Sequence, residues 1–326
     1  MKISIDAMGG DYAPEEVVKG AVLALEERSL EIILLGNVER IKEELTKYKF
    51  KKDNLSIINC KESIDTGEFP INALRTKKDS SILVGMNLLK NNKAKAFISA
   101  GNSGAVMAAA LLELGCISKI RRPAIAAVLP STKGKVIILD VGANVDCKPE
   151  HLLQFALIGS KYAQYILNIK DPKIGLLNIG EEENKGNKFA QSAYKIMNNA
   201  NINFMGNIEG KDIFKGIVDV VVCDGFTGNI LLKFSEGLAK LLLTEINKQV
   251  INHLPQNQEM NQLRQNFMEL VKMTDYTEYG GSPLLGVNGL CFICHGRSKS
   301  KTIKNAIINA SDFVDVKMLE HLKEIP

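Results

Sequence analysis

The sequence predicts an α/β protein built on a mainly parallel, Rossmann-like sheet flanked by helices, and three observations carry that expectation. Short β-branched apolar runs alternate with amphipathic stretches along the chain, as βαβ units require. The runs AKAFISA, KVIILD, KIGLLNIG and VDVVVCDG all end in Gly, Asn, Asp or Ser. Ligands of open α/β sheets bind beyond the carboxyl ends of strands, so polar residues gathered there mark a site. Bulk composition agrees, because 326 residues with 45% hydrophobic content supply a large core. No Pro/Ser linker, repeat or low-complexity segment divides the chain, so residues 1–326 read as one catalytic unit.

The first strand, KISID, ends in DAMGGD, where Asp6 and Asp11 flank a turn at Gly9 and Gly10. The spacing does not supply a metal ligand set. A helix over residues 14–28, the strand EIILLG, a helix over 38–48 and the strand LSIIN follow. RTKKDSSI then places Arg75, Lys77 and Lys78 before a helix that Asp79 or Ser80 can cap. That cluster either offsets the charge of a bound anion or is a solvated basic turn.

AKAFISA leads into AGNSGA at the start of a helix over residues 102–114. Gly101, Asn102, Ser103 and Gly104 combine main-chain N–H groups, a helix dipole and room for close approach, which together suit an anion. The alternative is a glycine-rich helix start capped by Asn102 or Ser103. Ser103 is not expected to be a nucleophile, because GNSGA lacks the GxSxG elbow.

IAAVLP and KVIILD read as neighbouring strands, and DVGANVDCKPEHLLQFA follows. Asp140 closes the strand, Gly142 permits close backbone approach, Asn144 and Asp146 offer short polar groups, and Pro149 opens an amphipathic helix. Beyond KIGLLNIG lie Asn178 and then Lys185, beside Gly186 and Asn187, placed to stabilise an anion. Glu181, Glu182 and Glu183 either pair with Lys185 or face solvent. In CDGFTGN, Asp224 and Asn229 stand at a strand-to-helix crossing with Thr227 able to cap the helix, and substrate contact and a plain capping turn are equal readings.

A long helix from about residue 228 is punctuated at Pro255, and a second amphipathic helix continues to about residue 274. Residues 228–274 are therefore expected to form a projecting antiparallel pair. Met260, Leu263, Phe267, Leu270 and Val271 recur at helical spacing on the second helix, and such a stripe must be covered. GLCFICHG reads as a buried strand with Cys291 and Cys294 in the core, although CFICH matches the c-type haem pattern. His295, just after it, is either a proton donor to a leaving group or a satisfied core imidazole.

A net charge of +4 is too mild to argue for nucleic acid, and no basic tract carries interleaved aromatics. The six cysteines are scattered through apolar surroundings, as reduced thiols of an intracellular protein would be. No apolar signal segment opens MKISIDAMGG, and no run approaches the roughly 20 apolar residues of a spanning helix, so a cytoplasmic location is expected.

DAMGGDYAP, RTKKDSSI, SAGNSGA, RPAIA, the Asp140 segment, NIGEEENKGN, GNIEG, DVVVCDGFTGN and GGSPLLGVNG occur in one order from end to end. Together they resemble the PlsX family, the phosphate acyltransferases of bacterial phospholipid synthesis. The resemblance implies a fold like that of isocitrate and isopropylmalate dehydrogenases and no cofactor. It implies transfer of a fatty acyl group from acyl carrier protein to inorganic phosphate, giving acyl phosphate for a membrane acyl-phosphate:glycerol-3-phosphate acyltransferase. It also implies a homodimer in weak peripheral contact with the membrane, for which Ile251, Leu254 and Met260 near the helical tip are the candidates.

That chemistry accounts for the lack of a nucleophile and base pair in the motifs. Phosphate is already an ionised nucleophile, and a thiol of pKa about 8.5 leaves readily. What remains is to position the reactants, offset charge and donate to an oxyanion. Lys185, Asn229 and His295 are the catalytic candidates. Gly9, Gly10, Arg75, Lys78, residues 101–104, Asp140, Asn144, Asp146, Asn178, Asp224 and Thr227 are the candidates for binding phosphate or substrate. Arg121, Arg122, Lys299, Lys301 and Lys304 are candidates for docking the acidic carrier. A phosphotransacetylase using acyl-CoA, a nicotinamide dehydrogenase and a membrane-associated scaffold for lipid synthesis are the competing readings.

Overall fold

The computed structural model describes residues 1–251, 255 and 258–326. The chain opens with β1 (Lys2–Asp6), α1 (Glu15–Glu27), β2 (Glu31–Gly36), α2 (Val38–Leu45) and β3 (Leu55–Asn59). Helices α3 (Pro70–Thr76) and α4 (Ser81–Lys90) precede β4 (Ala96–Ser99) and α5 (Ser103–Glu113). Next come β5 (Ala124–Ser131), β6 (Gly134–Leu139), α6 (Pro149–Tyr165), β7 (Ile174–Leu177), α7 (Lys188–Asn198), β8 (Phe204–Ile208) and β9 (Val220–Val222). Two long helices, α8 (Gly225–Gln249) and α9 (Gln258–Thr274), are followed by β10 (Ser282–Leu285), β11 (Leu290–Ile293), α10 (Ser300–Asp315) and α11 (Met318–Lys323).

The strands form a single sheet in the order β3-β2-β1-β4-β11-β10-β5-β6-β9-β7-β8. Two parallel blocks, β3-β2-β1-β4-β11 and β6-β9-β7-β8, are joined through β10 and β5. The junctions β11–β10, β10–β5 and β5–β6 are antiparallel. The mainly parallel sheet is thus present, with a reversal at its middle that turns the second block round relative to the first. That reversal matters for the site, because carboxyl ends of the two blocks do not all share one edge.

Central strands covered on both faces read as continuous apolar runs. AFIS of β4 and LCFI of β11 are buried throughout. One face is filled by α1, α6 and α10, where Phe313 meets Tyr162 edge-on at 5.2 Å and Phe292 at 5.1 Å. On the other face α4 and α5 pack Met86, Val106 and Ala109 against Phe97. Cys291 and Cys294 lie within this core, and burial raises both thiols to about 12.

Helix boundaries follow local capping chemistry. Asn102 caps α5 through Ala105 N at 2.9 Å. The long helix begins at Gly225 rather than near Gly228, because Asp224 is its cap: Oδ1 accepts from Thr227 N at 2.8 Å. Thr227, expected as the cap, instead donates its hydroxyl to Asp224 Oδ2 at 2.8 Å. Ser80 stands at the cap of α4 without a side-chain cap bond, while the Asp79 carboxylate accepts from Lys61 N at 3.0 Å.

Leu232 is the last buried residue of α8, which carries exposed Ile230, Phe234, Leu238, Leu241, Leu242 and Ile246. On α9, Leu263, Met268, Leu270 and Met273 are exposed and Phe267 is buried. Ile251 is buried and Met260 half-buried, whereas Leu254 lies outside the described residues. No helix among the described residues is long and apolar enough to cross a membrane.

Candidate active site

Three loops meet beyond β1, β4 and β11. Asp6, buried at the end of β1, accepts from Ser99 Oγ of β4 at 2.8 Å and from Met8 N at 3.2 Å. Burial raises this carboxyl above its ordinary range, against hydrogen bonds from Ser81, Ser99, Met8 and Gly9 that lower it. Gly9 must be glycine here, since a Cβ would collide with the Asp6 carboxylate and lie 2.7 Å from Gly101 N. Gly10 takes a φ of +105° against Ala100 and Gly296, and Asp11 N donates to Gly296 O at 2.8 Å. The Gly9-Gly10 turn is therefore pressed against the start of α5 on one side and the residues after His295 on the other.

At that start, Asn102 does structural work with every side-chain atom it has. Its Oδ1 caps the helix, while Nδ2 lies within hydrogen-bonding range of the carbonyls of Asp65, Thr66 and Glu68 at 2.9 to 3.3 Å. Gly101 N donates to Ser99 Oγ at 3.0 Å. Ser103 is exposed, and Gly104 is overlaid by Pro70 of α3, which would sit 2.8 Å from a Cβ. Arg75 and Lys78 belong to α3 and the turn after it and are exposed. Lys78 Nζ donates to Leu74 O at 3.1 Å, and Lys77 is tied to Glu68 at 2.6 Å.

The loop after β6 is organised by one carboxylate. Asp140, fully buried, accepts from Ile125 N, Gly142 N and Ala143 N through Oδ1, and from Asn144 N and Nδ2 through Oδ2, at 2.7 to 3.2 Å. Burial raises its pKa while these N–H donors lower it. Asn144 Nδ2 also reaches Pro123 O at 2.7 Å. Asp140 and Asn144 thus face inward and shape the loop, whereas Asp146 is exposed on its rim. The first turn of α8 presses on this loop so closely that a Cβ at Gly228 would strike Asp140 O, and Asn229 comes within 3.8 Å of the Cβ position of Gly142.

A cleft of about 1080 Å³ runs between β5, α8 and the segment before β10. Ser103, Gly142, Asn229, His295 and Gly296 are in its walls, so it joins the start of α5, the Asp140 loop, α8 and the end of β11. His295 Nε2 lies 3.7 Å from Glu236 Oε1, a contact that becomes an ion pair when the imidazole is protonated. Lys135, Lys211, Lys233 and Glu236 also line the cleft and were missed in the sequence. Asn229, Lys233 and Glu236 recur at helical spacing, which is the signal that would have found the last two.

Other candidates stand elsewhere. Lys185 is exposed in the loop after β7, with Nζ 3.9 Å from Glu182, and is not in the cleft wall. Asn178 braces the same loop, donating to Lys185 O at 3.2 Å and accepting from Ile179 N at 2.9 Å. The cleft therefore brings together the loops after β4, β6 and β11 and the first turns of α8, and not the loop after β7. Among the described residues, no group of three or more His, Cys, Asp or Glu is placed to hold a metal ion.

A large, mostly parallel sheet with helices on both faces and a cleft at several strand ends is the architecture of an α/β enzyme. The sequence profile of the family described as "Fatty acid synthesis protein" matches residues 1–321. A phosphate acyltransferase of Dictyoglomus thermophilum is 49% identical over 331 residues, covering 100% of this chain and 98% of that protein. One from Pelotomaculum thermopropionicum is 50% identical over 327 residues, covering 99% and 94%. The chain belongs to this family, the PlsX phosphate acyltransferases. In fold it is similar to a phosphotransacetylase from Streptococcus pyogenes, with a TM-score of 0.66 at 20% identity over 97% of this chain and 94% of that one. A 4-hydroxythreonine-4-phosphate dehydrogenase from Salmonella typhimurium follows at 0.53 and 14% identity, over 95% and 98%.

Proposed function

We propose that the chain transfers a fatty acyl group from a thioester to inorganic phosphate, with acyl carrier protein as the donor and acyl phosphate as the product. The observation that carries this reading is the cleft itself, whose walls hold a helix start, an amide and an imidazole. A phosphate oxygen attacks the thioester carbonyl, a C–O bond forms, and the oxyanion collapses with cleavage of the C–S bond. The departing thiolate then takes a proton.

In this reading the Ser103 hydroxyl and the main-chain N–H groups of Ser103 and Gly104 at the start of α5 receive phosphate, where the helix dipole favours an anion. The Asn229 amide donates to the oxyanion, and His295, held near Glu236, returns the proton to sulfur. Lys185 joins the charge-compensating shell when its loop moves toward the cleft, with Asn178 holding the base of that loop. Arg75 and Lys78, on the segment packed beside α5, draw phosphate in by long-range attraction. Gly9 and Gly10 keep the floor of the site close to Gly101. Asp140, Asn144, Asp224 and Thr227 shape the loop and helix start on which Asn229 stands, and Asp146 lies at the rim.

The acidic carrier docks on Arg121, Arg122 and Lys299, which are exposed. Lys301 and Lys304 are weaker candidates, being paired with Glu278 and Glu27 at 2.6 Å. Single-unit architecture, an isocitrate dehydrogenase-like fold and a projecting pair formed by α8 and α9 complete the proposal. The exposed apolar side chains of that pair make the homodimer and a weak, reversible contact with lipid. Release near the membrane delivers acyl phosphate to the acyltransferase that consumes it.

The test incubates pure protein with acyl carrier protein thioester or acyl-CoA, with and without phosphate, and follows thiol and acyl phosphate. Both products are expected only when phosphate is present, and faster with the carrier protein. Ser103→Ala is expected to raise KM for phosphate roughly tenfold, about one hydrogen bond to a charged group, with thermal stability unchanged. Thiol release independent of phosphate contradicts the reaction, and an unchanged KM contradicts the place given to the anion.

A further inference from the structure

Strand β5 is long, and β10 covers only its beginning. The two pair at Leu285 with Ala124 and Leu284 with Ile125, and the ladder goes no further. Extending that register by one residue sets Pro283 opposite Ala126. Proline has no N–H to give to the Ala126 carbonyl, and a strand cannot continue its ladder through such a position. Beyond it the segment through Gly281 and Ser282 separates from β5, and the cleft opens between them.

The direction of the main-chain groups along this opening follows from the other side of the hairpin. Ile137 N donates to Asp219 O, and Leu139 O accepts from Cys223 N, so these β6 residues face β9. Ile138 and Val136 therefore face β5, where their partners are Ala127 and Leu129. Ala126, Val128 and Pro130 must turn their main-chain groups the opposite way, into the cleft they line. Among the described residues no backbone or side-chain partner occupies the Val128 N–H or the carbonyls of Val128 and Pro130. The edge ends at Pro130, which cannot donate. It offers one N–H between carbonyls, within a cleft whose other walls hold Ser103, Asn229 and His295. Val128 is three residues along the strand from Ile125, about 10 Å at the usual rise.

We propose that this open edge of β5, at Val128 and Pro130, seats the pantetheine arm of the thioester donor, whose two amides join the sheet as a short added strand. The inference rests on the thioester chemistry of the preceding section. Its basis is complementarity: the arm is an extended chain with two N–H donors and two carbonyls, and its sulfur end is continuous with the walls that carry Asn229 and His295. Main-chain pairing of this kind gives affinity without side-chain readout, so it serves a donor arm common to carrier protein and coenzyme A.

The test compares one acyl group on two leaving thiols, pantetheine and a simple alkyl thiol lacking amides. The wild-type protein is expected to favour the pantetheine thioester in kcat/KM by roughly tenfold, the effect of about two hydrogen bonds. Val128→Pro removes the outward N–H without removing a bond to β6, and is expected to bring the ratio within about twofold of unity, mainly through KM. Should that variant unfold, valine-selective ¹⁵N labelling of the wild-type chain replaces it. Adding S-alkyl pantetheine is expected to shift the Val128 amide and slow its hydrogen exchange.

An unchanged ratio in a folded variant overturns the inference, as does an unmoved Val128 amide at saturating ligand. A variant that alters acyl chain-length preference and leaves the amide ratio intact overturns it too, and assigns the groove to the acyl chain. If no thioester yields acyl phosphate, the proposed reaction fails, while the amide shift still reports on the arm. Acyl-CoA and acyl carrier protein, run in parallel, separate the contribution of the arm from that of the rest of each donor.

Discussion

Asp6 and Asp140 are both buried carboxyls at strand ends, yet they build their corners differently. Asp6 reaches across to Ser99 on the neighbouring strand, and its corner is closed by the bare approach of Gly9 to Gly101. Asp140 wraps a loop around itself, taking N–H groups from Ile125, Gly142, Ala143 and Asn144. The first corner depends on the close approach of Gly9 to Gly101 as well as on the donors that Asp6 accepts from, Ser99 Oγ and Met8 N among them. The second depends on one acceptor that no neighbour can replace. An isostere should therefore pass at Asp6, whereas loss of the acceptor at Asp140 should dismantle the loop that places Gly142 opposite Asn229.

The largest effect is expected from Asp140→Ala, which strands several buried N–H donors at once. Each unsatisfied buried group costs about 1–3 kcal/mol, so the total is about 4 kcal/mol or more. Against a typical stability of about 5–15 kcal/mol, much of the protein should be lost to unfolding at moderate denaturant. Urea unfolding measures this directly. A change under about 1 kcal/mol would mean the loop holds without its acceptor, and the contrast with Asp6 would collapse.

Gly228→Ala comes next and sharpens the same corner. The added methyl points at the Asp140 carbonyl and lies 2.9 Å from Cys223 Sγ, so α8 must shift away from the loop. Overpacking of this kind costs about 1–3 kcal/mol. Because Asn229 is the next residue, turnover should fall further than stability alone explains, with KM for phosphate little changed. Equal loss of both kinetic terms would instead point to a general disturbance of the cleft.

The alternation of apolar runs and amphipathic helices made the parallel blocks legible, since period and burial follow from residue type. Polar strand ends at Ser103, Gly142 and Asn229 were legible for the same reason. The reversal at β5 and β10 was not, because IAAVLP and SPLL read as strands without saying which neighbour they face. Lys185 follows a polar strand end like the others, yet its loop stands outside the cleft wall, while β6 and β9 of the same turned block bring Gly142 and Asn229 to it. Asn102 and Asp140 resemble ligand groups in the sequence because a short polar side chain looks alike whether it faces a substrate or its own backbone. Their hydrogen bonds to residues as distant as Asp65 and Pro123-flanked Ile125 depend on tertiary approach that no local pattern encodes.

The smallest expected effect lies at the Asp6 corner, and it is a slope with pH. Burial raises the Asp6 pKa in the folded chain above its ordinary 3.8. A raised carboxyl holds its proton more tightly folded than unfolded. Between the ordinary value and the raised one, the unfolded chain has already released a proton that the folded chain retains, so stability falls as pH rises through that window. Asp6→Asn cannot titrate and keeps nearly the same shape beside Gly9 and Ser99. The stability of wild type relative to Asp6→Asn should therefore be greatest near the ordinary carboxyl value and decline as pH is raised above it. Thermal unfolding of both proteins across that range reads the difference. A constant gap would show that Asp6 titrates alike in both states, which would place its burial on the same footing as a solvated carboxyl.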